Sequence, residues 1–524
     1  PITRQKGIFL SGKHEQLQKD KPYIAIAQAF HGFFNLILSE NEETLSYWKK
    51  RLRKALGKEG KLLTDLIPNL ELIIGKQPPL DTLGLKESQN RFNYVFLKFI
   101  AALANERHPM VLFIDDLQWA DIASLELLKM IIQKEDLQYF YFIGSYRDNE
   151  IDDSHPTKLI FDQIEESGIK THLINLPGLS EDDACSLIQD TFSLERDKAA
   201  ELTKIAYTKT AGNPFFLDQF LRSIYDRGFI VYDKTNGEWQ WDISLLESMN
   251  FTDNVVEFMI QKIKTLEPLV QKTLQLASCI GDRFDLRTLA FISNYSVSDM
   301  KINIWNAVKE QMVTVQKNNS EFAHLNGKKS ESQENYITYK FAHDRIRQAA
   351  YELIPQEEKA SLHEQIGRLL LEKTGTNQLE DLIFEIVYQL NNGNRESLTK
   401  AESHELIRLN FQAGKKAKSS NAYQTALSYY QIALSHLDES YESSDPATYF
   451  QLHLECMKCC YLNGSYGEMH KIADKLLAAK RPMLEEIQVK NIIIHAYIAQ
   501  SKYVELLQQA VIQMCFLVLP KQYF

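Results

Sequence analysis

The sequence predicts a parallel α/β sheet followed by a long helical region, and three observations predict it. Short, fully apolar runs alternate with amphipathic helical patterns up to about residue 178, as buried parallel strands joined by crossover helices require. One of those runs, Val111-Leu112-Phe113-Ile114, ends in the paired acids Asp115-Asp116. It therefore delivers two carboxylates to the C-terminal edge of the sheet, where open α/β sheets bind ligands. Beyond about residue 197 the strands thin out and helical spacing takes over.

Each element can be justified in turn. Residues 7–11 are a short apolar run flanked by glycines, the mark of a buried strand. Ala27, Phe30, Phe34, Ile37 and Leu38 then fall at helical spacing, and residues 44–74 continue as helix until Gln77-Pro78-Pro79 interrupts it. Phe92, Val95, Phe96, Phe99, Ile100 and Leu103 form a strong amphipathic helix. After the strand at 111–114, a helix over about 122–133 leads to the aromatic run 139–143, and a third apolar run at 172–176 closes at Pro177-Gly178. These strands are expected to form a sheet covered on both faces. Ser180 and Asp183 stand in capping-box positions.

Farther on, residues 229–232 and 239–241 read as a hairpin on an Asn236-Gly237 type I′ turn. Residues 253–312 read as helical. Residues 313–316 and 336–341 are expected to pair across the polar insert 318–335, giving a winged-helix-like unit with a two-stranded wing. From 344 onward only helices are expected. Asn421-Ala422-Tyr423, Ala426, Tyr430, Ala433 and Leu434 follow tetratricopeptide spacing, and Tyr466 and Tyr503 open two looser copies. The expected domains are 1–178, 179–250, 251–355 and 356–524.

With 524 residues, 44% hydrophobic and 24% charged, the chain is too ordinary in composition for wholesale disorder or a fibre. A net charge of −10 disfavours a protein that coats polyanions. No apolar run approaches the ~18 residues needed to cross a bilayer. Six cysteines without paired spacing read as reduced thiols of a cytoplasmic protein. Cys456, Cys459 and Cys460 fall within an apolar helical pattern and lack a second ligand pair, so they read as packing. The start at Pro1 and the apolar run 511–519 before Pro520 give the appearance of a piece of a longer protein.

The chemistry centres on Asp115 and Asp116. In P-loop NTPases the first acid of such a strand holds Mg²⁺ through water and its neighbour can polarise the attacking water. The extended string Ile114-Asp115-Asp116-Leu117-Gln118-Trp119-Ala120-Asp121 resembles the Walker B segment of AAA-like, STAND-type signalling ATPases. Three more stretches agree in order and distance. Phe142-Ile143-Gly144-Ser145-Tyr146-Arg147-Asp148 resembles the next strand with its sensor arginine. Gly212-Asn213-Pro214-Phe215-Phe216 resembles the helical-lid motif whose proline lies against adenine, and Phe341-Ala342-His343-Asp344-Arg345-Ile346 resembles the segment that closes the winged-helix unit.

The resemblance thins after about residue 480 and is closest to the central ATPase module of very large bacterial proteins. Those proteins join a serine/threonine kinase domain, this ATPase, helical repeats, a GAF domain and a sensor histidine kinase. It implies a P-loop NTPase-like fold with a helical lid, and ATP with Mg²⁺ as cofactors. Asp115 would be the metal ligand, Asp116 and Arg147 the catalytic pair, and Asn213 and Pro214 the nucleotide contacts. It also implies an ATP-operated switch acting on attached kinase domains, with the repeats binding a protein partner or another copy of the chain. Arg147 has the alternative of pairing with Asp148 or Glu150, and Pro214 of merely starting a helix. Asp121 reads as a helix cap, and His343 and Asp344 as packing and capping.

One part of the pattern is absent. The only match to Gly-x-x-x-x-Gly-Lys-Ser/Thr spacing is residues 7–14, but its interior reads as a strand and His14 replaces the Ser/Thr magnesium ligand. The P-loop is therefore expected upstream, and the chain alone to be inactive as an ATPase. Two alternatives compete with the switch: a scaffold acting only through its repeats, and a nucleic-acid binder using Lys49-Lys50-Arg51, Arg53, Lys54, Lys58 and Lys61. The apolar residues interleaved in that basic run, and the net charge, favour a solvated helix face.

Overall fold

The computed structural model describes residues 7–16, 21–81, 84–248, 255–293, 295–316, 337–374, 379–394, 398–438, 440–479, 481–505 and 507. They divide into two compact units. One joins residues up to 171 with those from 363 onward, and the other spans 172–362.

In the first unit three strands, β1 (Ile8–Lys13), β2 (Met110–Asp115) and β3 (Phe140–Gly144), form a wholly parallel sheet in the order β1-β2-β3. Their register aligns Ile8 with Met110 and Phe140, and Lys13 with Asp115. Side chains alternate between faces along a strand. Ile8, Leu10, Met110, Leu112 and Ile114 therefore share one face, which is buried. The helix Ile24–Ser39 packs along β1 and β2. It comes so close that a Cβ on Gly12 would fall on the Ala25 carbonyl oxygen, so β1 needs glycine there.

The opposite face corrects the expectation of a sheet covered on both sides. Phe9, Tyr141 and Ile143 lie on it and are exposed, Tyr141 by 59%. The run 172–176, expected as a further strand, is not one: it joins no ladder, and Leu173, Ile174 and Leu176 are exposed. Apolar residues alone do not make a strand; a strand needs a neighbour to satisfy its backbone.

Residues 44–74 are broken where one helix was expected. Glu42–Leu56 is capped by Asn41, which accepts from the Thr44 amide, and it ends at Gly57 with φ +56°. Lys61–Thr64 and Asn69–Ile74 follow, the second headed by Pro68. The basic run is partly committed inside the fold. Arg53 Nε donates to the Ile74 carbonyl at 2.7 Å and Arg51 Nε to that of Ala102, two helix ends whose carbonyls lack intrahelical partners.

The helices from 379 onward stack in antiparallel pairs, Lys400–Ser419 with Tyr423–Ser435 and Pro446–Leu462 with Tyr466–Ala478, followed by Met483–Ala499. The three turns after these first helices share one construction. Asn421, Gly464 and Ser501 each adopt positive φ, and the following amide returns to a carbonyl five residues back: Ala422 to Ala417, Ser465 to Cys460, Lys502 to Tyr497. This is the αL helix stop, repeated ahead of Tyr423, Tyr466 and Tyr503. Cys456, Cys459 and Cys460 are buried in the helix Pro446–Leu462. The helix Tyr423–Ser435 packs on Ile122–Ile132, and Pro446–Leu462 on Leu85–Leu103, so a single hydrophobic core runs from sheet to repeats.

The second unit begins with Glu181–Phe192, whose Ser180–Asp183 capping box forms as expected, then Arg196–Thr210 and Pro214–Asp226. The hairpin of β4 (Ile230–Asp233) and β5 (Glu238–Trp241) pairs Asp233 with Glu238 across a four-residue loop, not a two-residue type I′ turn. The Asp233 carboxylate draws the loop in by accepting the Thr235 amide at 2.8 Å, and Asn236 keeps negative φ while Gly237 is at +69°. The last sheet has three strands where two were expected. β6 (Arg283–Asp285) and β7 (Val313–Gln316) flank β8 (Thr338–Phe341) in the antiparallel order β6-β8-β7. The insert 318–335 lies outside the described residues. Among the described residues no helix is long and apolar enough to cross a membrane.

Candidate functional site

The C-terminal ends of β1, β2 and β3 supply the residues of the site. Lys13 ends β1, Asp115 ends β2, and Ser145 and Arg147 follow β3. Immediately after β2 the chain turns sharply through Asp116, in the left-handed region at φ 55°, ψ 48°, into a 3₁₀ turn Leu117–Trp119. Asp is among the few non-glycine residues that adopt this conformation readily. The turn is anchored to the neighbouring strand, since Leu117 N donates to Ser145 O at 2.9 Å and Ser145 N to Ile114 O at 3.0 Å.

The two carboxylates are held differently. Asp116 is buried. Its Oδ2 lies 2.6 Å from Lys13 Nζ, while its Oδ1 accepts from Gln118 Nε2 at 2.8 Å and lies 3.5 Å from Arg147 Nε. A buried charge needs such partners to be tolerated. The Asp115 side chain is 36% exposed. Its Oδ1 accepts from the Ser145 hydroxyl and from the Asp116 amide, and its Oδ2 lies 3.4 Å from Lys13 Nζ. An oriented, accessible carboxylate oxygen is the donor a hard divalent cation takes.

Arg147 makes the pairing with Glu150 that was weighed for it. Its Nη1 lies 3.2 Å from Glu150 Oε1, and its guanidinium also faces Asp116 and sits 5.0 Å from the Trp119 ring centroid. Trp119 Nε1 donates to Glu150 Oε2 at 3.0 Å. Gln118 fixes this side of the site from the other end, its Oε1 accepting the Arg147 amide at 3.2 Å. Lys13, Gln118 and Ser145 were given no role in the sequence, whereas Glu150 was read as a partner for Arg147. Lys13 was set aside with the rejected P-loop spacing; residues 8–13 form a strand, as that rejection expected, and the register partner of Lys13 is Asp115. Next to it, burial pushes the His14 imidazole down to about 4.

Asp121 caps the helix Ile122–Ile132, accepting from Ser124 N at 2.8 Å, from Ser124 Oγ and from Tyr23 N at 3.2 Å. Burial nevertheless pushes its carboxyl up to about 6. Asp115, Asp116 and Arg147 thus come together in the first unit, while Asn213 and Pro214 belong to the second. There Asn213 caps Pro214–Asp226 by accepting the Phe216 amide at 3.1 Å, with Pro214 at the first helical position. The Phe215 ring stacks on His343 at 4.1 Å between centroids. His343 caps the helix Asp344–Glu352, and its Nδ1 lies 2.7 Å from Asp344 Oδ1.

Residues 1–143, which include β1, β2 and both acids, match the family model of the AAA ATPase domain. A hybrid signal transduction histidine kinase G of Dictyostelium discoideum is 29% identical over 562 aligned positions, covering 88% of this chain. The chain spans only 16% of that relative's length. A distant likeness is found to the crystal structure of a signal transduction ATPase with numerous domains (STAND) bearing a tetratricopeptide repeat sensor, from Pyrococcus horikoshii. It has a TM-score of 0.38 and 12% identity, over 98% of this chain and 68% of that one.

Proposed function

We propose that this chain is the nucleotide-operated module of a larger signalling protein, in which Mg-ATP binding to the sheet edge is transmitted through the helical repeats to attached kinase domains. The observation that carries the proposal is the convergence of Lys13, Asp115, Asp116, Gln118 and Arg147 at the C-terminal ends of three parallel strands. The family match over that stretch and the kinase relative support it. A divalent ion fits the donor set through the accessible Asp115 oxygen. When bound, Mg-ATP supplies the cation and the polyphosphate whose charge the site must hold. Asp115 is oriented for the cation by Ser145 and the Asp116 amide. Arg147, kept near the acids by Glu150 and Trp119, offers a guanidinium to phosphate. Asn213 and Pro214 are proposed as nucleotide contacts, and the repeats as the surface for a protein partner or a second copy.

The phosphate loop is proposed to enter from an upstream segment as a strand beside β3. That strand would satisfy the outer edge of β3, while its helix would cover Phe9, Tyr141 and Ile143, and its C-terminal turn would arrive next to Asp115 and Arg147.

The test is equilibrium binding of fluorescent ATP to the chain extended upstream by about 40 residues, enough for a phosphate loop and its strand. The extended protein is expected to bind only with Mg²⁺, and its Asp115→Ala variant to lose that dependence. Binding indifferent to both magnesium and Asp115 would refute the assignment.

A further inference from the structure

Lys13 is placed where a divalent cation would compete with it. It ends β1 directly opposite Asp115, and its ammonium lies 2.6 Å from Asp116 Oδ2 and 3.4 Å from Asp115 Oδ2. It contacts both acids of the pair at once, the position from which a metal ion held by Asp115 would also act. Two cations cannot share those oxygens without strong repulsion. Asp115 has no second conformation to escape to, because Oδ1 is held by Ser145 and by the Asp116 amide. Lys13 does: its side chain is one-third exposed, and a lysine stem is long and flexible. Asp116 keeps Gln118 and Arg147 if Lys13 leaves.

Resting on the nucleotide-site reading above, we infer that Lys13 is a tethered counter-ion that occupies the acid pair in the empty site and must be displaced when a divalent cation binds Asp115. Lys13 is then a positioning residue with a defined consequence. The ion alone binds weakly, because it must expel the ammonium from the acid pair. The ion with a polyphosphate binds far better, because phosphate oxygens accept the displaced ammonium. Metal and phosphate become coupled through one side chain, and the site resists loading by free cation.

The test uses the chain as it stands and Mn²⁺ alone as the probe, followed by loss of the free-ion paramagnetic signal. Lys13→Met is expected to tighten Mn²⁺ binding about tenfold, while Lys13→Arg, which keeps the charge, stays close to the parent. Asp115→Asn in the Lys13→Met background is expected to abolish the gain. Thermal unfolding of each variant confirms that folded protein is compared, and a merely structural lysine would weaken binding on removal. If Lys13→Met binds Mn²⁺ no more tightly than the parent while Asp115→Asn still weakens binding, the displacement idea is wrong and the metal site stands. If Asp115→Asn changes nothing in any background, both the metal assignment and the inference fall.

Discussion

Asp121 carries a charge in a place where charge is a liability. Its carboxylate is wholly buried, and burial raises its titration to about 6 from an ordinary 3.8, although Ser124 and Tyr23 donate three hydrogen bonds to it. A carboxyl titrating higher in the folded chain than in the unfolded one stabilises the fold below the unfolded value. It loses that contribution as pH rises through the folded value. The loss here is on the order of 3 kcal/mol between pH about 4 and 7. Asp121→Asn keeps a good helix cap without the charge. It is expected to gain stability relative to the parent as pH rises over that window, as read from urea unfolding at several pH values. A difference that stays flat with pH would mean that Asp121 does not titrate as described. The residues of the site were unequally legible. Asp115, Asp116 and Arg147 announce themselves by sitting at strand ends in a string of recognisable order. Lys13, Gln118 and Ser145 do not, because their roles depend on which strand lies beside which, and sequence spacing carries no lateral order.

Helices and strands were legible where a local pattern suffices and illegible where a neighbour decides. The strand β2, the helix Leu85–Leu103 and the Ser180 capping box follow from apolar runs, helical spacing and a cap that each need nothing beyond their own residues. The run 172–176 has the composition of a strand and lacks the partner. β6 escapes notice because three residues, Arg283–Asp285, show no period and become a strand only by pairing with β8. Asn236-Gly237 failed as a type I′ turn because Asp233, three residues ahead of the dipeptide, captures the loop amides. The repeats show local and tertiary demands meeting at one residue. Gly414 sits inside the helix Lys400–Ser419, where alanine would be worth about 1 kcal/mol in helix propensity. Yet a Cβ there would lie 2.6 Å from Tyr430 Cδ1, in a ring that is fully buried. Overpacking of about 1–3 kcal/mol outweighs the propensity gain, so Gly414→Ala is expected to lower the unfolding midpoint. A raised midpoint would show that Tyr430 yields more easily than its burial implies.

Across the whole molecule, the sheet and the repeats of the first unit share one core, and this gives the acid-bearing turn a mechanical outlet. The helix that follows Asp121 packs directly on Tyr423–Ser435, and Tyr23, whose amide Asp121 accepts, belongs to the same core as Tyr423. By this packing, the proposed signal from the turn 116–119 would reach the first repeat without a separate linker. On the opposite face Phe9, Tyr141 and Ile143 are exposed, and among the described residues β3 is an edge strand; the phosphate-loop strand is proposed to lie there. The central claim is that nucleotide binds at the turn after β2 and the segment after β3, and hydrogen exchange reads it most directly. In the upstream-extended protein, Mg-ATP is expected to slow amide exchange at residues 116–119 and 145–150, with weaker protection reaching 423–435. If ATP binds but those two segments exchange at the same rate with and without it, the nucleotide lies elsewhere and the account of this site is wrong.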